Sequence, residues 1–511
     1  MKQKSKLVAT LMAMCMVVSF AVIGILAVKT LNMSVGGNIS FFAEGVSFTI
    51  GNGAFYQTDK TTPYANITTQ TDKMQSFAMN TNTKLADVET QIASWANLDL
   101  KLDSQGDAVL KFNIKNDMTD KELYVLFTVT LGTNTNNNMN IVCATSEKLA
   151  ASANKDIFIT FDILDDTINA GLTGFKIDLS ISEPVEIDPS TGSVTNQTNS
   201  KYSNASYALD TTNGTAKISK SNTNISGELV LMDKVYSNGQ EYVVTEIAAE
   251  AFKDCFSLSG EIIIPKSIIK IGEAAFTNCS KITGSLIIPD SVTEIGHHAF
   301  SSCRGFSGIL VLSKNLTEIQ YSTFVGCNGF VGTLKIPKSI TSIEDASFSG
   351  CDGFSSVEVE DGNPVYYSKQ NCIITRQNNV LVQYFSCGVL TSDLNISVIG
   401  VYAFSHILEV KGEFCFSETI EKIQYRAFYQ NQALKNINIP RSTTIIEEEA
   451  FNSVKKLVSV TLENPTPPTL GENAFINTNN CPIYVPAGSV ETYKTASGWS
   501  VYADRIFANP A

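Results

Sequence analysis

The chain is poor in the residues that most chemistry needs. Only three histidines occur in 511 residues, His297, His298 and His406. The first two are adjacent rather than four apart, so they do not make the paired ligands of a helical metal site. The 11 cysteines include no Cys-x-x-Cys pair. No Gly-x-Ser-x-Gly elbow, Walker loop, His-Glu-x-x-His or Gly-x-Gly-x-x-Gly is present, which removes the common signatures of acyl transfer, phosphate binding, zinc hydrolysis and dinucleotide binding. No Asp-x-Asp-x-Asp-Gly calcium loop is found, and Asp165-Asp166 and Glu447-Glu448-Glu449 read as solvated acidic runs. Positive charge is also thin: 37 Lys+Arg against 50 Asp+Glu give a net charge of −13, and no basic run follows the first few residues. Nucleic acid is therefore not an expected partner, because phosphate binding needs concentrated positive charge. No enzyme activity, cofactor or metal is expected.

What the chain does have is a period. Phe252, Phe276, Phe300, Phe324 and Phe348 are each 24 residues apart, as are Ile247, Ile271, Ile295, Ile319 and Ile343. Cys255, Cys279, Cys303, Cys327 and Cys351 keep the same step. A fixed step of this length predicts stacked coils rather than a single closed core. Within one coil Leu286 and Ile288 are two apart and face inward from one short strand. Pro289 then ends the strand because it offers no amide to the ladder. Pro265 and Pro337 share its place, with Ser313 the exception. Burying one large apolar side chain contributes about 1.5–3 kcal/mol, while ordering backbone costs roughly 1–2 kcal/mol per residue. A lone coil is therefore unstable, and neighbours must share their apolar faces and sheet bonds.

The period breaks once. Phe348 and Phe404 are 56 residues apart, and an insert over 357–394 opens at Asp361-Gly362-Asn363-Pro364 and carries a predicted strand at Val380-Leu381-Val382. Repeats resume at Phe404, Phe428, Phe451 and Phe475. Trp499, Tyr502 and Phe507 are expected to close the end in a cap over 476–507. The insert is too short to hold a cleft of its own.

The rest of the chain divides as follows. Residues 1–28 are a signal peptide or membrane anchor: Lys2, Lys4 and Lys6 precede an uncharged run from Leu7 to Val28, long enough to cross a bilayer as a helix. Cleavage after Ala27 is favoured over retention, and either way nearly all the chain is exported, secreted or at the cell surface. Residues 29–184 contain short alternating stretches such as 108–114, 123–131, 157–161 and 175–179, predicting an antiparallel β-sandwich. Lys84–Ala96 carries a weak helical pattern and 134–140 a polar loop. Residues 185–204 have few apolar side chains and read as a flexible linker. The solenoid then occupies 205–507, with edge strands near 214–218 and 227–231 capping its first coil. The fold class is mainly β, a parallel-strand solenoid preceded by an antiparallel sandwich.

The motif Ile-Pro-x-Ser-[Ile/Val]-x-x-Ile-[Gly/Glu]-x-x-[Ala/Ser]-Phe-x-x-Cys, carried by Ile264–Cys279, Ile288–Cys303, Leu312–Cys327 and Ile336–Cys351, resembles the BspA-type leucine-rich repeat of bacterial and protist surface proteins. The resemblance covers about residues 201–507. It implies a leucine-rich repeat fold, adhesion or the binding of host or matrix proteins, and no shared active site. Gly36-Gly37-x-Ile39-x-Phe41 after the apolar run resembles exported TasA/camelysin-type proteins of Gram-positive bacteria. That resemblance implies a sandwich found in biofilm matrix, and so an alternative role in which the first domain self-assembles into fibres.

Two groups of residues stand out as candidates. The cysteine ladder is read as a buried stack of reduced thiols. Adjacent coils would hold the side chains parallel at about 4.8 Å, whereas a disulfide needs converging Cβ atoms at about 3.5–4.5 Å. The outward strand positions Ile263, Ile287, Val311 and Lys335, with Glu261, Ser285, Ile309 and Thr333 beside them, are the candidate partner-binding face. Their apolar members would line up into a strip. A protein is the expected partner, self-association is possible, and membrane contact is expected only through the N-terminal segment.

Overall fold

The structure is a computed structural model. It describes the strands between residues 39 and 182, and residues 185–510 apart from 196–203, 221–224, 386–393 and 409–415. The apolar run Leu7–Val28 lies outside the described residues, and no described helix is long and apolar enough to cross a membrane. The chain forms two compact units, Met1–Ser203 with Met232–Val243, and Asn204–Leu231 with Val244–Ala511.

The first unit is antiparallel. One sheet runs in the order Ile39–Ala43, Val46–Ile50, Ala108–Asn116, Asn154–Ile163, Met139–Cys143, with Ala54–Tyr56 also on Ala108–Asn116. The other runs Thr90–Leu102, Ala170–Ser182, Leu123–Thr130, Ser146–Leu149, with Thr133–Thr135 also on Ala170–Ser182. The helix expected over Lys84–Ala96 is a strand from Thr90 onward, where Trp95 pairs with Ile177 and Ala93 with Leu179. The weak helical pattern yields because Ile92 and Trp95 suit a sheet and a long partner strand is available. The polar loop expected over 134–140 is shortened by Thr133–Thr135 and Met139–Cys143.

The expected flexible linker is bonded over Val185–Thr195. Tyr236 N donates to Val185 O at 2.9 Å, Ile187 N to Tyr236 O at 2.8 Å, and Ser237 Oγ to Ile187 O at 2.9 Å. Val185 and Ile187, two apart, are both buried. These two apolar side chains suffice to dock a segment whose composition is otherwise polar.

The second unit is the coil stack. Ile247, Ile271 and Ile295 pair in one parallel ladder, Ile319 and Ile343 in another, and Ile399, Ile423, Ile446 and Leu470 in a third. Phenylalanines fill the middle. Phe252, Phe276, Phe300, Phe324 and Phe348 stack at 5.2, 5.3, 5.7 and 5.5 Å between ring centroids. The column continues through Phe404, Phe428, Phe451 and Phe475 at 4.8, 4.8 and 5.0 Å. A shorter parallel column joins Phe306, Phe330 and Phe354.

The turn that carries each Phe is a succession of tight turns bracketed by two left-handed residues. Residues two before and two after the Phe have positive φ, as in Ala274 (52°) and Asn278 (65°) around Phe276. Ala275, Thr277 and Cys279 donate back to Gly272 O, Ala274 O and Phe276 O within the coil, which leaves the amides between them to point forward. Ala274, Phe276 and Asn278 donate to the carbonyls of His297, Ala299 and Ser301 in the next coil at 2.8, 2.7 and 2.8 Å. Coils approach so closely that a Cβ on Gly272 would lie 2.3 Å from Ala249 N. The ends need special partners: Lys220 Nζ donates to Lys253 O at 3.3 Å on the first coil. On the last coil Phe475 N donates to Tyr502 Oη at 3.2 Å, and Trp499, fully buried, donates Nε1–H to Pro468 O at 2.8 Å. Phe507, expected to help close this end, is half exposed, because it is the outward residue of the strand Ile506–Ala508.

The insert is an antiparallel meander, Tyr366–Lys369, Cys372–Thr375 and Val380–Tyr384, whose last strand runs parallel to Val398–Ile399 and so rejoins the stack. Asn363, buried, clamps its opening. Its Nδ2 donates to Pro337 O and Ile340 O at 3.1 and 2.8 Å, and its Oδ1 accepts from Val365 N and Tyr366 N.

Candidate interaction surface

Each outward position of the candidate face sits between two buried neighbours, Ile263 just beyond its strand and the others within theirs. Ile263 lies between Ile262 and Ile264, Ile287 between Leu286 and Ile288, Val311 between Leu310 and Leu312, and Lys335 between Leu334 and Ile336. Ile287 pairs with Val311 in parallel register, and Lys335 with Glu358. Ile263 is 49% exposed, Ile287 and Val311 are partly exposed, and Lys335 is exposed. The strip is therefore apolar over three coils and turns charged at Lys335 and Glu358.

The flanking candidates divide. Glu261 is exposed, and its side chain lies over Gly284, where a Cβ would meet Glu261 Cγ at 2.7 Å. Ser285 Oγ accepts from Ile309 N at 3.0 Å, and Thr333 Oγ1 bonds Ser356 Oγ at 2.6 Å, so both hydroxyls are engaged between coils. Ile309, expected outward, is buried at 6% exposure. The two-residue period fails there because the strand is only Leu310–Val311. The backbone bends just before it, with Ser307 N and Gly308 N both donating to Gly284 O.

The cysteine ladder has a bonding role. Cys279, Cys303, Cys327 and Cys351 each donate Sγ–H to the Phe carbonyl of the preceding coil, Phe252, Phe276, Phe300 and Phe324, at 3.0–3.1 Å. Cys255, with no such coil before it, turns to Lys253 O at 3.8 Å. All five are free and buried. Burial pushes the Cys327 thiol up to about 12 and those of Cys303 and Cys351 well above the ordinary range. Asn431 takes the same place three residues after Phe428, its Nδ2 donating to Phe404 O at 2.8 Å. Ile407 and Val454 hold the same place after Phe404 and Phe451 without a donor, so the bond belongs to the coils that carry Cys or Asn there.

The histidines do not converge. His297 Nδ1 lies 3.6 Å from Glu344, His298 meets the Tyr321 ring edge-on, and His406 Nδ1 faces Ser349 Oγ at 3.2 Å. No group of three metal-binding side chains occurs among the described residues.

Sequence reading missed two features. Arg426 lies between the rings of Tyr425 and Tyr429, 4.9 and 4.8 Å from their centroids, donates to Tyr402 Oη at 2.9 Å and pairs with Glu449. Tyr402, Arg426 and Glu449 all stand two residues before a Phe, so the repeat alignment held the signal. The second is a cleft of about 180 Å³ where the insert interrupts the stack. Glu344, Asp345 and Phe348 line one side, and Tyr366, Val382 and Val401 are among the others. The insert has no cleft alone, but it makes one with the coils on either side.

The repeat matches a known family model. Residues 244–373 and 383–496 match the BspA type leucine rich repeat region, in 6 copies. The match begins after the first unit, so the TasA/camelysin-type resemblance is no part of it. Three solved structures are similar at 18% identity. A leucine-rich repeat protein from Eubacterium ventriosum covers 56% of this chain and 77% of its own, with a TM-score of 0.40. The pneumococcal vaccine antigen PcpA covers 61% and 98%, with a TM-score of 0.41. A leucine rich cell surface protein from Faecalibacterium prausnitzii covers 61% and 97%, with a TM-score of 0.34. No curated protein matches the chain.

Proposed function

We propose, from the premise that the repeat region of this chain belongs to the BspA-type leucine-rich repeat family, that the protein is an exported, non-catalytic module that binds other proteins at the cell surface. Adhesion or matrix contact is the role this implies. The observation that carries the reading is the outward strip of Ile263, Ile287 and Val311, three apolar side chains at one repeat position in successive coils, each flanked by buried residues. Apolar strips bordered by charge are the usual anatomy of a protein contact. Lys335 and Glu358 would set its orientation, since charges at a rim steer approach more than they add affinity.

The test uses the full chain carrying Ile287→Lys and Val311→Lys against a panel of extracellular-matrix and cell-surface proteins. Binding is expected to fall at least about 10-fold, as loss of a central apolar contact costs more than 1 kcal/mol, with secreted yield unchanged. Unaltered binding refutes the assignment of this face. Sedimentation of the same variant separates contact with a foreign protein from self-association: a loss of oligomer with no loss of panel binding assigns the strip to self-contact.

A further inference from the structure

The cleft stands where one ladder ends and another begins. Ser342–Ile343 pairs with Glu318–Ile319, and a separate ladder runs from the insert through Val380–Tyr384 to Val398–Ile399. Its walls are strands and tight turns bonded to their neighbours. Val380 and Leu381 pair with Val398 and Ile399, and Gly400 N donates to Leu381 O at 2.9 Å. The site is therefore built before any ligand arrives. At about 180 Å³ it is smaller than the roughly 300–1,000 Å³ of pockets for drug-sized ligands, and its walls are more polar than apolar. Both facts favour one small polar molecule over an apolar chain.

Four polar side chains line the cleft with bonding capacity still to use. Tyr366, 5% exposed, accepts from Ile343 N at 2.9 Å through Oη, which leaves its hydroxyl hydrogen to give. Burial pushes its pKa up, so the hydroxyl keeps that hydrogen. Thr375 Oγ1 accepts from Val380 N at 3.0 Å and likewise has a hydrogen to donate. Gln383, 4% exposed, commits Nε2 to Tyr384 O at 2.9 Å and Ala403 O at 3.5 Å, so its Oε1 serves as an acceptor. Gln424 brings an amide that both donates and accepts. Between them Val380, Val382 and Val401, all half-buried, supply apolar surface.

Charge narrows the ligand further. Glu344 and Asp345 border the cleft and disfavour an anion there. A cation fits little better. Glu344 is turned to the coil before it, where Oε2 accepts from Tyr321 N at 2.8 Å and lies 3.6 Å from His297 Nδ1. Asp345 is exposed at the rim, where water screens it. An ammonium group also offers no acceptor to the Tyr366 and Thr375 hydroxyls. A sugar hydroxyl donates and accepts at once, and the C–H face of a sugar ring packs on valine.

We propose that this cleft binds one neutral sugar unit, with Tyr366 and Thr375 donating to its oxygens, Gln383 and Gln424 accepting from its hydroxyls, and Val380, Val382 and Val401 against its C–H face. A free monosaccharide and the end of a surface glycan present the same chemistry. The site goes beyond the protein-binding role and does not rest on the Ile263–Val311 strip.

Saturation-transfer NMR of the full chain tests it with glucose, galactose, mannose and N-acetylglucosamine, against glucosamine as a cation and N-acetylneuraminic acid as an anion. At least one neutral sugar should bind with a Kd in the millimolar range. Val382→Trp, which fills the cleft, should weaken that binding at least about 10-fold, and Gln424→Ala, which removes one hydrogen bond, about 2- to 10-fold. Should Val382→Trp lower the melting temperature, Gln424→Ala decides. Ile287→Lys should leave sugar binding intact, which separates this site from the strip. An oligosaccharide ending in the bound sugar distinguishes the two sources: binding at least as tight as the monosaccharide assigns a glycan end, and its exclusion assigns a free sugar, either of which supports the site. Binding of no neutral sugar leaves the cleft to water and overturns the proposal, as does tighter binding of glucosamine or N-acetylneuraminic acid. Sugar binding unchanged in both cleft variants also overturns it, because the sugar then sits elsewhere.

Discussion

Replacing Phe324 by Ala is the sharpest probe of the stack. The ring is fully buried and lies 5.7 Å from Phe300 and 5.5 Å from Phe348, so it bridges two coils. Truncating a buried Phe costs about 3–5 kcal/mol, of which each aromatic pair accounts for about 0.5–1.5 kcal/mol. In a repeat array the loss falls on nearest-neighbour coupling, so the coils on either side should open independently. The amides of Phe300 and Phe324 donate to Thr323 O and Ser347 O across these two coil contacts and report them. Their native-state exchange should accelerate by roughly 100-fold or more, at about 1.4 kcal/mol per decade. The Phe451 amide, bonded to Ala474 beyond the insert, should change far less. Phe324→Leu, which leaves a smaller cavity, should cost about 1–2 kcal/mol. A loss under about 1 kcal/mol in Phe324→Ala, or equal losses for Ala and Leu, would refute the idea that the aromatic column couples the coils.

Other perturbations follow from the same geometry. Cys327→Ser keeps a donor for Phe300 O and should be tolerated, whereas Cys327→Val leaves that carbonyl unpaired and should cost about 1–3 kcal/mol in urea unfolding. The five ladder thiols should be silent to a thiol reagent in the folded chain and all react once it is denatured without reductant. Gly272→Ala forces a Cβ to 2.3 Å from Ala249 N and should lower the melting temperature sharply, while Gly214→Ala, with open space around it but φ of +66°, should cost only local strain. Asp352 is raised by burial to about 6, partly offset by Leu408 N donating to it. Its folded pKa lies above its unfolded value, so its contribution is most favourable below about pH 4 and is lost as pH rises through 6. Asp352→Asn should flatten stability between pH 4 and 6 relative to the parent. His406, whose pKa burial lowers, works in the opposite direction and is lost as pH falls, so only the difference between variant and parent isolates Asp352.

Much of the coil was legible in the residues themselves. The 24-residue step of Phe and Ile became stacked rings and paired strands because identical turns can only superpose when one lies on the next. Pro289 and Pro337 follow strand ends as their missing amide requires. Ser313 shows how the exception works, donating Oγ–H to Val292 O at 2.7 Å while accepting from Asn315 N. The serine of the Ile-Pro-x-Ser motif recurs as well, yet the buried hydroxyls of Ser267, Ser291 and Ser339 have no partner among the described residues, and nothing in the structure explains the serine there. Ile309 was misplaced because alternation holds only within a strand, and its strand starts one residue later. Residues 90–96 and 185–195 were misread because pairing with distant segments outweighed local composition.

The sequence by itself determined the repeat, its period, the residues that face inward and the place where the period breaks. These are local properties: spacing along a chain fixes which side chains a repeated turn can bring together. Tertiary structure alone decided that the thiols cap carbonyls of the preceding coil, that Arg426 is held among three tyrosines, and that the break leaves a cleft. Those outcomes depend on what lies one coil away. A hydrogen bond or a void between coils is set by how two distant stretches meet, and no spacing within either stretch encodes it.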